Sequence, residues 1–188
     1  MKKVLFATLF ILSSAYTYAQ KIDLDKVENG ERFIICSLEN VRSMSDKVVF
    51  SVGLSAAQNK DEKVFYSILL SATSTKPITV PKNGKLLIKL QDDSILELTT
   101  MFEYSDKIGK VNNVAGYVYT GYTVTPSFGV TPDQIDKIKQ GVKKIRLETS
   151  LEAIDKEFKK DKIGKVIETE YNLIKGALAT KKTFSEGF

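Results

Sequence analysis

The residues of this chain that could do chemistry are few: acids, one thiol and a row of phenols. Asp92 and Asp93 are adjacent, and two neighbouring carboxylates can hold a divalent cation or divide acid and base work between them. They lie in Gln91-Asp92-Asp93-Ser94, between two alternating apolar runs, where aspartates cap their own backbone. The reading is therefore a turn. Cys36 is the only cysteine and sits in the apolar run Phe33-Ile34-Ile35-Cys36. A reactive thiol would want a basic, partly exposed setting, so Cys36 reads as a small buried hydrophobe. Tyr117, Tyr119 and Tyr122 fall in Ala115-Gly116-Tyr117-Val118-Tyr119-Thr120-Gly121-Tyr122, the most β-prone run in the chain. Exposed in a row, they would offer flat rings with hydroxyl tips to a glycan or a protein. The alternative is that they are ordinary strand residues packed partly into the core.

Absences narrow the chemistry further. There is no histidine, so neither a Ser-His-Asp or Cys-His arrangement nor an imidazole zinc site can be built from this chain. Tryptophan is missing as well, which weakens a sugar-stacking role. Gly109 and Gly116 fit no phosphate-cradling glycine pattern. A pair of acids meeting in a cleft would still permit carboxylate hydrolysis, which spacing along the chain does not reveal. No catalytic residue, metal ligand or cofactor site is assigned, and the reading is non-enzymatic.

The N-terminus says where such a protein works. Lys2 and Lys3, the apolar run Val4–Leu12 and the small residues Thr17 and Ala19 form a secretory signal, cleaved after residue 19. The apolar run is well short of the roughly 20 residues a membrane span needs, and no later stretch is long and apolar enough. Losing Lys2 and Lys3 takes the formal charge from +5 to about +3, scattered rather than striped, so nucleic acid is not an expected partner. A single cysteine closes no internal disulfide, and stability must come from packing.

The elements that would position these residues are mostly strands. Residues 20–31 read as a polar leader, 32–180 as one globular domain and 181–188 as a frayed tail. Within the domain, Arg32–Leu38, Lys47–Leu54 and Lys63–Leu70 have strand character, the last apolar on both faces as an interior strand would be. Thr73–Gly84 holds two prolines and an Asn-Gly, leaving room for a short edge strand between Pro77 and Pro81. Lys85–Leu90 and Ile95–Thr100 make the clearest hairpin, and Met101–Asn113 reads as a long connection or ragged hairpin. In the tyrosine run Gly121 is a candidate bulge, which would return Tyr122 to the face of Tyr117 and Tyr119.

Helix signals come late. Thr131, Pro132 and Gln134 spell a capping box with proline at the first helical position; Val130 and Ile135 suit a hydrophobic staple, and Gly141 a stop. Val142–Thr149 then alternates as a half-buried strand, and Leu151–Lys160 reads as loop or weak helix. Asp161–Ala179 is an amphipathic helix with Ile163, Val166, Ile167, Tyr171, Ile174 and Leu178 on one stripe; Glu168 and Glu170 count among its charges, which favours packing on a sheet over lying on a membrane. The class is α+β: a mostly antiparallel β-sandwich or open barrel of about seven or eight strands, with a short helix near 131–140 and a C-terminal amphipathic helix.

A signal ending in Ala19-Gln20, together with Val142-Lys143-Lys144-Ile145-Arg146-Leu147-Glu148 after a Thr-Pro-Asp-Gln-Ile-capped helix, resembles small exported proteins of Bacteroidetes-type bacteria, many of them with no assigned function. The resemblance implies export to the periplasm or beyond and carries no catalytic motif. The expected role is a binding or accessory module of the cell envelope, gripping a protein or glycan through the tyrosine-bearing sheet face. Its rivals are a carrier of a small apolar ligand such as a lipid, held between sheet and C-terminal helix, and a hydrolase using paired carboxylates.

Overall fold

The computed structural model describes residues 21–41, 47–114 and 116–180, and of residues 114, 117 and 119 the backbone alone. The signal read at 1–19 and the tail read at 181–188 lie outside the described residues. The fold is α+β, with every strand pair antiparallel and two helices. Strands are more numerous than expected because three stretches all pair, those read as leader, as connection or ragged hairpin, and as loop or weak helix.

The polar leader is the first of these. Ile22–Glu28 forms β1 and Glu31–Cys36 forms β2, closed by Asn29 (φ 53°) and Gly30 (φ 79°). Two positive φ values in a two-residue loop make the turn that matches the twist of a hairpin, and Asn-Gly is its preferred sequence. The signal was thus Asn29-Gly30, hidden inside a run that composition marks as polar. The chain continues through β3 (Glu39–Asn40), β4 (Val49–Gln58), β5 (Val64–Ser74) and the short β6 (Ile78–Val80) between the two prolines. Strands β7 (Lys85–Leu90) and β8 (Ile95–Thr99) form the expected hairpin. Met101–Asn113, read as a long connection or ragged hairpin, holds two strands that pair elsewhere rather than with each other, β9 (Tyr104–Asp106) and most of β10 (Lys110–Val114).

Strands β11 (Tyr117–Val124) and β12 (Ser127–Val130) lead into helix α1 (Pro132–Lys139), whose N-cap Thr131 accepts the Gln134 N–H while Gln134 Oε1 accepts the Thr131 N–H. Gly141, at φ +116°, turns the chain into β13 (Val142–Glu148). The loop or weak helix expected next is β14 (Ala153–Glu157), and helix α2 (Ile163–Ala179) closes the fold. Alternation in Ala153-Ile154-Asp155-Lys156-Glu157 is weak because one face holds only Ile154, yet β14 pairs residue for residue with β13.

The large sheet runs β1-β2-β4-β5-β11-β10, with β3 on β4 and β12 on β5, and curves into a half-barrel. A second sheet runs β14-β13-β7-β8, and a small pair joins β6 to β9. A bridge from Thr100 to Phe128 links the end of β8 to β12. One core spans both sheets and both helices: Phe50 and Leu54 from β4, Leu86 and Ile88 from β7, Ile145 and Leu147 from β13, Ile138 from α1 and Ile167 from α2. Strand β5 is interior but not sealed on both faces, since Phe65 is exposed beneath the Lys63 ammonium.

Candidate functional site

Strand β11 places the tyrosines at the margin of the large sheet. It pairs with β5 through Tyr122–Val124 and with β10 through Tyr117–Gly121, and β10 is the terminal strand on that side. The ladder with β10 ends at Gly121, opposite Lys110, and the ladder with β5 begins at Tyr122, opposite Ser74. The candidate bulge falls at the step between the two ladders, which neither pairing crosses. Tyr122 is half-buried, with its ring edge against Gly109. Asp106 fastens the base of the hairpin: it accepts the Gly109 N–H (2.9 Å) and the Thr123 N–H (2.9 Å), and these amide donors, Thr123 first, hold its acid below the usual carboxylate range. Further out, the hairpin exposes apolar side chains. Val111 is 70% exposed and Val118 67%, and Ile108, in the turn before β10, is 90% exposed. Because Val111 faces Thr120 and Asn113 faces Val118 across the ladder, both valines share one face.

The outer face of the second sheet is a different surface. Leu87, Ile95 and Phe158, with Lys89, Lys144 and Arg146, line a groove of about 540 Å³. Lys144 and Lys89 stand directly opposite one another across β13 and β7, which by itself repels. Each is drawn outward to an acid: Lys144 to Asp155 (2.7 Å) and Glu157 (3.2 Å), Lys89 to Asp93 (2.9 Å), where Lys143 also binds. Arg146 grips both oxygens of Asp155. The Arg146 guanidinium, then Lys144, hold Asp155 well below the usual carboxylate range, the reverse of what a general acid needs. The groove is thus electrically satisfied by its own residues. Asp92 and Asp93 behave as turn residues: Asp92 accepts the Ser94 N–H (3.0 Å), and Asp93 has φ 68°. Among the described residues no group of three or more acids or thiols could hold a metal ion.

The residue missed from sequence is Glu170. It was counted with the charges of α2, yet it is 0% exposed. Its position follows from spacing, since it falls three residues after Ile167 and four before Ile174, on the apolar stripe. The sheet beneath it explains what it does. Ile35 of β2 pairs with Ser55, and Glu39 of β3 with Val52, so three residues, Cys36–Leu38, pass opposite only Gly53 and Leu54. That is a bulge, and it interrupts the ladder of β4. A Cβ on Gly53 would lie 3.2 Å from the Ser37 carbonyl and from Leu38, so the crossing chain passes tightly over this position. Glu170 Oε2 fills the gap, accepting the Leu54 N–H at 2.5 Å. Its other oxygen, Oε1, has no partner among the described residues, and the Cys36 thiol lies 4.0 Å from the Glu170 carbonyl.

Burial, then the carboxylates Glu39 and Asp23, push the Glu170 acid up to about 8, against a lowering by the Leu54 amide. Burial likewise pushes the Cys36 thiol up to about 12, so it is no nucleophile at neutral pH. The space between sheet and α2, where a bound lipid would have to lie, is occupied by Ile163, Ile167, Glu170 and Ile174, all essentially inaccessible. No helix among the described residues is long and apolar enough to cross a membrane. No family model, no curated protein and no solved structure matches the chain.

Proposed function

We propose that this chain is an exported, non-enzymatic binding or accessory module of the cell envelope, and that it recognises a protein through the β10–β11 hairpin bearing Tyr117 and Tyr119. The observation that supports this is an open sheet margin with Val111 and Val118 in solvent. A terminal strand offers unpaired backbone groups for strand addition, and exposed branched residues beside it suit a protein surface better than a glycan. Asp106 ties the base of the hairpin down, so its presentation is built into the fold.

The reading is tested by site-specific photo-crosslinking in the native host. A crosslinker at position 118 should capture one discrete envelope protein, and the same group at Glu157, on the second sheet, should not. Replacing Val111 and Val118 by lysine should abolish the crosslink from a third hairpin position, Asn113, without lowering the melting temperature. Retained capture by the lysine variant, or equal capture from position 157, would sink the proposal.

A further inference from the structure

We propose that Glu170 is a proton-controlled latch, whose acid form holds the middle of α2 in the break of the β4 ladder and whose ionisation frees that segment from the sheet. The geometry is specific. The side chain is wholly inaccessible, its Oε2 completes the broken ladder through Leu54, and its Oε1 has no partner among the described residues. A neutral carboxylic acid tolerates this with one polar atom unmatched; a carboxylate would stand in the core with, among the described residues, a single amide donor and no cation, which is far less favourable.

The charged and titratable groups around it come from every packed element, and none of them neutralises it. From β1 and β3 come Asp23 and Glu39, both acids, and from β2 the Cys36 thiol, which stays protonated throughout the relevant range. Strand β4 offers none, being Val49-Phe50-Ser51-Val52-Gly53-Leu54-Ser55-Ala56-Ala57-Gln58. From α1 comes Lys139, engaged with Asp136 and the Tyr171 ring. At the far end Arg32 is committed to Asp25 and to the Thr180 carbonyl. On ionisation the proton passes to solvent and leaves a charge that only movement of α2 can hydrate. The ends of the helix are held separately, by Asp161 accepting the Gly164 N–H and by Arg32 at Thr180, so release is confined to the middle.

The test is a pH titration of the full chain from 5 to 10. The carbon-13 signal of the Glu170 carboxyl should titrate near pH 8, and the Asp23→Asn, Glu39→Gln double variant should titrate lower. Amide exchange at Leu54 and through the middle of α2, taken as the ratio of wild type to Glu170→Gln at each pH so that intrinsic chemistry cancels, should stay near one below pH 7 and rise at least tenfold by pH 9.5. A carboxyl midpoint near 4.5, or an exchange ratio flat to pH 9.5, would overturn the latch. Should Glu170→Gln fail to fold, the carboxyl midpoint in wild type and in the double variant still decides the matter.

Discussion

Asp155 and Glu170 are both carboxylates on regular elements, and the two regions that hold them push their acids in opposite directions. On the outer face of the second sheet, Asp155 stands among Arg146 and Lys144 in water, and cations set its chemistry. Under α2, Glu170 has no cation beside it among the described residues and no water-facing edge, and burial sets its chemistry. The first region carries many charges that contribute little singly, because exposed pairs are screened and lose side-chain entropy on forming. The second carries few polar groups, each of which is costly to disturb.

The sharpest way to break this contrast is at the end of α2. Arg32 is buried, donates to both oxygens of Asp25 at 2.9 Å, and caps the Thr180 carbonyl at 2.7 Å. Arg32→Ala leaves a largely buried Asp25 without its bidentate cation and the last turn of α2 without its cap. The expected loss is about 3 kcal/mol in denaturant unfolding. Loss of a few tenths would mean that this end behaves like the outer face. Ile174→Ala, in the same interface, should cost about 2–4 kcal/mol through the cavity it leaves.

Next in size is the pH dependence that Glu170 imposes. Its folded value, about 8, lies above its ordinary 4.5, so the native state binds the proton more tightly than the unfolded chain. The stabilisation is complete below about pH 4.5 and is lost as pH rises through about 8, at no more than about 1.4 kcal/mol per pH unit. Glu170→Gln should therefore flatten the stability profile between pH 5 and 8 while leaving the acid limb, governed by groups such as Asp155, in place. Parallel profiles for the two proteins would contradict the assignment.

How much of this was legible in the sequence differs between the same two regions. The capping box of α1, the β7–β8 hairpin and the alternation of β13 were plain because each rests on local signals: a cap, a turn, a period of two. Strands β1 and β14 were missed because polar residues on both sides of a strand erase that period, and only their partners, β2 and β13, reveal them. Glu170 was misplaced because a helical stripe is read from its apolar members, whereas the bulge that accommodates a carboxylate is made by Cys36–Leu38 and Gly53, far away in the chain. The run holding Tyr117 and Tyr119 was expected to be strand and is strand β11, whereas its partner β10 was hidden in a stretch whose Asp106, Gly109 and Asn112-Asn113 read as connection or ragged hairpin.

The smallest expected effect completes the contrast and is the most exacting. Arg146→Ala removes a bidentate contact to Asp155, yet Lys144 remains 2.7 Å away and water reaches both partners. The melting temperature should barely move in low salt. Added salt should shrink even that change, because screening weakens the pair in the wild type while the variant has less to lose. Arg32→Ala should keep most of its penalty under the same salt, since both partners are largely buried and are screened far less. If instead the two variants respond alike to salt, burial does not separate these regions, and the case for Glu170 as an acid set apart from solvent weakens with it.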